Sequence, residues 1–134
     1  MALLIVDEGE VEFLSRVLNK SATGDVVLHL YSNDKTPADA DIVSSYTEST
    51  GTGYGAITLT GSGWTISSIA NVGTASYAQQ TFTMSSALTA YGYYVTNSAG
   101  TKLIWAERFT APPYTLPAGG GTIKITPNFT LNHA

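Results

Sequence analysis

The sequence predicts a mainly β protein: a single antiparallel β-sandwich of jelly-roll type with one N-terminal α-helix. Three observations predict it. Apolar residues recur at helical spacing only before Asp25, period-two alternation takes over after it, and breaks rich in Gly, Ser, Asn and Pro then recur to the C-terminus. With 134 residues the chain has enough length for one core that buries roughly two-thirds of the unfolded surface. It divides into residues 1–24, an arm and amphipathic helix packed on the domain or on a neighbour, and residues 25–134, the sandwich.

The opening MALLIVDEGEV has a short apolar run that meets Asp7 and Glu8 with no basic leader, and it reads as neither a signal peptide nor a membrane span. In DEGEVEFLSRVLNK, Asp7 is placed to cap a helix and Glu10 to reach back to it. Glu12 and Arg16 stand one turn apart, and Lys20 falls at the negative end of the dipole. Val11, Leu14, Val17 and Leu18, flanked by Phe13, form an apolar arc that needs a surface to lie on. DVVLHLYS (25–32) reads as a strand, and Thr36 before Pro37 as the cap of a short helical turn. After Glu48, YGAITLT, GWTISSI and AQQTFTM alternate as strands. In GTIKITPNFTLN, Ile123, Ile125, Phe129 and Leu131 share one face, and Thr122, Lys124, Thr126, Asn128 and Thr130 the other. Pro127 inside that run marks an edge or a bulge. Seven or eight strands are expected in all.

The stretch AYGYYVTNSAGTKLIWAERF (90–109) reads as an aromatic hairpin. A four-residue loop NSAG sets Thr96 opposite Thr101 and fixes two faces. One holds Gly92, Tyr94, Leu103, Trp105, Glu107 and Phe109; the other holds Tyr91, Tyr93, Val95, Lys102, Ile104, Ala106 and Arg108. Neither is polar, as expected where one face meets the core and the other a second layer or subunit. Tyr94 and Trp105 are the core candidates, with Gly92 leaving space for the indole. Tyr91, Tyr93 and Arg108 are the subunit-contact candidates.

Charge is unusual in its placement. The formal net charge is −4, but nine of the ten acids lie in residues 1–48, and residues 49–101 contain no charged side chain. A surface this neutral, far below the roughly one-quarter charged residues of ordinary domains, suggests that much of it faces other protein. An acidic chain with six Lys and Arg argues against nucleic acid as the partner, and no membrane partner is expected. Without cysteine, neither disulfides nor a thiolate metal site is available.

No catalytic, cofactor or metal site is specified, so no catalytic residue, cofactor or metal is expected. GTGYGA (51–56) fits a dinucleotide loop only literally, because a strand follows where a helix N-terminus is needed. His29 lies within a strand and reads as a hydrogen-bonded structural histidine, with His133 in the tail. Glu107 is the only acid after Glu48; it adjoins Arg108, which projects from the opposite face of the strand, and it reads as part of a structural ion pair, not as half of a glycosidase pair. Asp34, Asp39 and Asp41 lack the order of a calcium loop. Eight Tyr and two Trp on a sandwich also permit carbohydrate stacking.

The series LLIVDEGEVEFLSRVLN, LHLYSNDKTP, GYGAITLTGSGWTI, the aromatic hairpin through WAERF, and the closing GGGTIKITPNFTLN resembles small virion structural proteins of tailed bacteriophages across nearly the whole chain. The resemblance implies a non-enzymatic virion component, with a capsid decoration or cement protein on the capsid exterior as the leading expectation. Its implied partners are the major capsid protein or other virion subunits, in a homo-oligomer. A tail or head–tail connector component, and a carbohydrate-binding sandwich module, are the alternatives.

Overall fold

Twelve short antiparallel strands and one α-helix make up the computed structural model, which describes residues 3–18, 24–70 and 72–132. Lys20, His133 and the side chain of Val17 lie outside that description. The elements are β1 (Leu4–Ile5), α1 (Asp7–Val17), β2 (Val26–Tyr31), β3 (Ile57–Leu59), β4 (Thr65–Ile69), β5 (Val72–Ser76), β6 (Gln80–Met84), β7 (Leu88–Ala90), β8 (Gly92–Asn97), β9 (Leu103–Arg108), β10 (Tyr114–Leu116), β11 (Gly121–Ile125) and β12 (Asn128–Asn132). No helical turn follows Thr36; 3-10 turns stand instead at Val43–Ser45, with Ile42 at the N-cap position, and at Gly61–Gly63. Short strands explain why twelve appear where seven or eight are expected: Gly and Pro cut the predicted runs, as Pro127 cuts the last one into β11 and β12.

One layer is a five-stranded sheet in the order β1-β9-β8-β2-β3. The opposing layer comes from a long antiparallel ribbon in which residues 72–90 run beside 114–132. The pairs β5–β12, β6–β11 and β7–β10 hold nearly one register and differ by a single residue at the middle segment. β4 joins this ribbon at one end to give a three-stranded sheet β12-β5-β4. The ribbon continues through Tyr91 into β8–β9, so four consecutive strand pairs follow one another, as in a rolled ribbon. β8–β9 is flanked by β2 and β1, however, and the observed ladders do not establish jelly-roll connectivity.

Between the layers lies the main core, with Leu28, Leu30, Val95 and Trp105 from one side and Phe82, Met84, Ile123 and Phe129 from the other. Alternation does the sorting: in β11 the outward Lys124 separates the buried Ile123 and Ile125. The opposite face of the five-stranded sheet is also covered. There Tyr31, Tyr94, Leu103 and Ala106 pack with Val6 and with Tyr46 from the segment between β2 and β3.

The central hairpin departs from its expected register. Asn97 and Lys102 close the loop, and a bulge between Val95 and Thr96 makes Thr96 face Leu103 while Val95 faces Trp105. Two extra loop residues would have preserved the face assignment. The bulge reverses it, because each residue of β9 below that point turns over relative to β8. Tyr93 therefore shares the main core with Trp105, whereas Tyr94 lies on the other face among Tyr31 and Tyr46. Gly92 leaves space for the Tyr31 ring and the Glu107 carbonyl, not for the indole.

Candidate interaction surface

Two adjoining parts of the molecule leave apolar side chains uncovered. The first is α1. No side chain caps it, contrary to the expected Asp7–Glu10 box; its N-cap position is Val6, and Asp7 N–H donates to the Asp39 carbonyl. The Glu8 carboxylate reaches out of the helix and accepts from Lys102 Nζ at 2.9 Å and from the Leu103 N–H at 3.0 Å. Burial acts to raise the Glu8 carboxyl, but these two bonds outweigh it and hold its pKa below the ordinary 4.5. Gly9 comes next: any Cβ there would strike the Ile104 carbonyl, so the helix backbone lies directly on β9. Phe13, one turn on, sets its ring 5.1 Å from that of Phe129 in a tilted contact, and Arg16 pairs with Glu12 at 3.0 Å and donates to the Gly24 carbonyl.

That anchoring fixes the rotation of the helix. At about 100° per residue, Val11, Leu14 and Leu18 point away from Gly9, Phe13 and Arg16, and they are 62–67% exposed. The apolar arc seen in the sequence is real. Its described members Val11, Leu14 and Leu18 face away from the domain, one of the two surfaces on which the arc was expected to lie.

The second part is the three-stranded sheet. Register places Ile66, Ala75 and Phe129 in one row and Ser68, Gly73 and Leu131 in the next, all on the face toward Phe13. Phe13 covers only one end. A cleft of about 260 Å³ remains, lined by Phe13, Ile66, Gly73, Ala75, Phe129 and Leu131. Beside it a second cleft of about 150 Å³ reaches Trp64 and Trp105. Ile66 is 72% exposed, and Leu131, which shares a face with the buried Phe129, is 55% exposed. Of the seven large apolar side chains exposed among the described residues, five belong to α1, its C-cap and this sheet.

The five hairpin candidates occupy different places. Trp105 is buried in the main core against Phe129, 5.0 Å between rings, and its indole N–H is the one buried side-chain donor among the described residues without an acceptor. Tyr94 is buried too, stacked on His29 and Tyr46. Tyr93, expected at a contact, is buried in the main core. Its hydroxyl donates to Glu107 Oε2 at 2.7 Å, and burial together with that bond pushes the phenol pKa well up. Arg108 does not pair with Glu107. It reaches Asp34 at 2.6 Å and the Lys35 carbonyl at 2.9 Å, with its guanidinium 5.3 Å above the half-buried Tyr91 ring. These side chains tie the β2–β3 connection to the sheet.

A second set of partners was not visible in the sequence. His29 Nδ1 lies 2.8 Å from Glu48 Oε1 and Nε2 lies 3.1 Å from Thr96 Oγ1. Carboxylate, imidazole and hydroxyl in line have the form of a nucleophilic relay. Thr96 is only 1% exposed, however, its hydroxyl donates to the Asn97 carbonyl, and the Tyr94 ring lies flat on the imidazole at 4.7 Å. The array joins β2, β8 and Glu48, and none of the clefts described is lined by it. Tyr54 extends it by donating to Glu48 and accepting from the Leu30 N–H. The GTGYGA segment is thus a loop that seats Tyr54, with Gly53 at φ +91°.

The three aspartates also disperse. Asp34 takes Arg108, while the buried Asp41 accepts from Lys35, from Tyr46 at 2.8 Å and from Ala38 N–H at 2.9 Å. Burial alone would raise the Asp41 carboxyl, but these donors hold its pKa below the ordinary 3.8. Among the described residues no three His, Cys, Asp or Glu side chains gather to hold a metal, and no helix is long and apolar enough to cross a membrane. Comparison with family models, with curated proteins and with solved structures finds no match to this chain.

Proposed function

We propose that this chain is a non-enzymatic structural subunit of a tailed-bacteriophage virion, acting as a decoration protein that cements the capsid shell. The observation that carries the reading is the concentration of uncovered apolar side chains on α1 and the β12-β5-β4 sheet, next to a 53-residue stretch with no charge. Such a surface suits permanent contact with other protein, and contacts multiplied around a shell add up to firm attachment even where each is small. The partner on this reading is the major capsid protein or another virion subunit, met through apolar area more than through ion pairs. Locating the chain by cryo-electron microscopy of intact particles tests it. Density on the capsid exterior, with α1 or the small sheet against a shell subunit, is the expected result; density only in the tail or connector, or none, overturns the decoration role.

A carbohydrate-binding reading has one observation of its own. Tyr114 is 46% exposed, backed by Phe109 at 4.7 Å, and borders a cleft of about 380 Å³ with Thr122 and Lys124. An aromatic platform beside hydroxyls and an ammonium suits a sugar ring. Binding to a defined glycan that is lost in Tyr114→Ala, with particle assembly unchanged, would favour it.

A further inference from the structure

The edges of the sheets are not equally protected. β1 has two residues and β3 three, too few for a ladder of their own. β11 carries Lys124, β12 begins directly after the buried Pro127, and β10 lies between Pro113 and Pro117. The outer side of β6 is met by the Thr52–Gly53 loop, where the Thr52 carbonyl accepts from Ser85 N–H. β4 has none of these devices. It is five residues long, Thr65-Ile-Ser-Ser-Ile69, with residues 65–68 exposed, and it pairs only with β5 among the described residues. Its composition, with two Ile, Thr, no charge and no Pro, favours extended backbone.

We propose that β4 is a self-association edge, pairing antiparallel with β4 of a second copy of this chain about a two-fold axis through Ser67. This rests on reading the chain as an assembling subunit and makes no use of where in a virion it sits. The outer backbone groups of β4, unpaired among the described residues, call for another strand, and the strand best matched in length and charge is its own copy. A two-fold pairing centred on Ser67 uses all five residues: Thr65 faces Ile69 of the second copy, Ile66 faces Ser68, and Ser67 faces Ser67. A charge at position 67 would stand against its own copy across this axis, and there is no charge from Ser49 to Thr101. The pairing would join two small sheets into one of six strands, and it sets the two exposed Ile66 side chains diagonally adjacent on a single face. Five residue pairs alone bury less than the roughly 800 Å² per partner of a standard interface, so the dimer is a weak one to which Ile66 contributes apolar area.

The test uses the purified full chain at about 100 µM, a concentration suited to a small interface. Light scattering coupled to size exclusion should show dimer for the native chain and monomer for Ser67→Lys and for Ser67→Glu, all with the same far-ultraviolet circular dichroism. An equimolar mixture of the two variants should restore the dimer, because Lys and Glu then face each other on the axis. A second measurement does not depend on the charged variants. The chain has no cysteine, so Ser67→Cys should form an intermolecular disulfide on mild oxidation, and far faster than Thr65→Cys, whose copy lies a strand length away. A native chain that stays monomeric, a Ser67→Lys variant that stays dimeric, a mixture that does not reassociate, or equal oxidation of both cysteine variants each overturns the proposal. Particles that carry the chain while the isolated chain fails these tests would reject the β4 dimer and leave the virion reading standing. A β4 dimer from a chain absent from particles would do the reverse.

Discussion

The five-stranded sheet and the three-stranded sheet of this chain are built from similar residues and finished differently. In the first, β8 is buried from Gly92 to Thr96, because the chain covers one face with the ribbon and the other with Val6 and Tyr46. Polar atoms there are paired in sequence: Tyr46 with Asp41, Arg108 with Asp34, His29 with Glu48. In the second, Phe13 covers only part of a face that still shows Ile66 and Leu131, and β4 has no outer neighbour among the described residues. Charge follows the same division. Glu8, Asp34, Asp41 and Glu48 tie flanking segments to the first sheet, whereas the second is made wholly from uncharged strands. A sheet that its own chain completes reads as fold; one left half-covered reads as contact surface.

The strongest way to break that contrast is to truncate an apolar side chain in each sheet. Trp105→Ala should lose about 3–5 kcal/mol of unfolding free energy, while Ile66→Ala should stay within about 0.5 kcal/mol, measured by urea denaturation. Comparable losses would show that Ile66 belongs to the core. Next comes crowding. Gly92→Ala pushes a methyl into the Glu107 carbonyl and the Tyr31 ring, and should cost roughly 1–3 kcal/mol or more, whereas Gly73→Ala meets only Leu131 at 4.0 Å and should be tolerated sterically. The same denaturation curves decide it.

Acid sharpens the comparison further. Glu8 and Asp41 both have pKa values depressed in the folded chain, so the stability they contribute is complete above their ordinary values of 4.5 and 3.8 and is lost as pH falls through the lower folded values. Melting temperature should therefore drop below about pH 4.5, and Glu8→Gln with Asp41→Asn should flatten that decline while lowering stability at neutral pH. An unchanged acid slope in the double variant would mean that other groups carry it. The smallest effect belongs to the β4–β5 turn, where Ala70 sits at φ +50°. Ala70→Gly should raise stability by about 0.5–1 kcal/mol by relieving a left-handed alanine, without loosening β4. A loss in thermal melts would contradict it.

Much of this architecture is legible in the sequence, and the exceptions have physical causes. Period 3.6 marks α1, and period two marks β6 and β11, where buried and exposed residues alternate. The rotation of α1 is not legible: hydrophobicity would turn Val11, Leu14 and Leu18 inward, but Gly9 against Ile104 and Glu8 against Leu103 outweigh it. Nor is the hairpin register, since the bulge at Val95 leaves no mark in composition yet places Tyr93 in the main core and Tyr94 in the second buried cluster. The Glu48–His29–Thr96 array is hidden for a related reason: it joins residues 19 and 67 positions apart, which only strand pairing brings together.

One measurement reaches the division between fold and contact surface directly: hydrogen–deuterium exchange on the chain alone and on the chain bound in the particle proposed for it. Assembly should slow exchange in the segments 11–18 and 65–69, while residues 92–97 and 103–106, already protected in the free chain, should change little. New protection confined to Tyr91–Arg108, with α1 and β4 exchanging as fast bound as free, would contradict it.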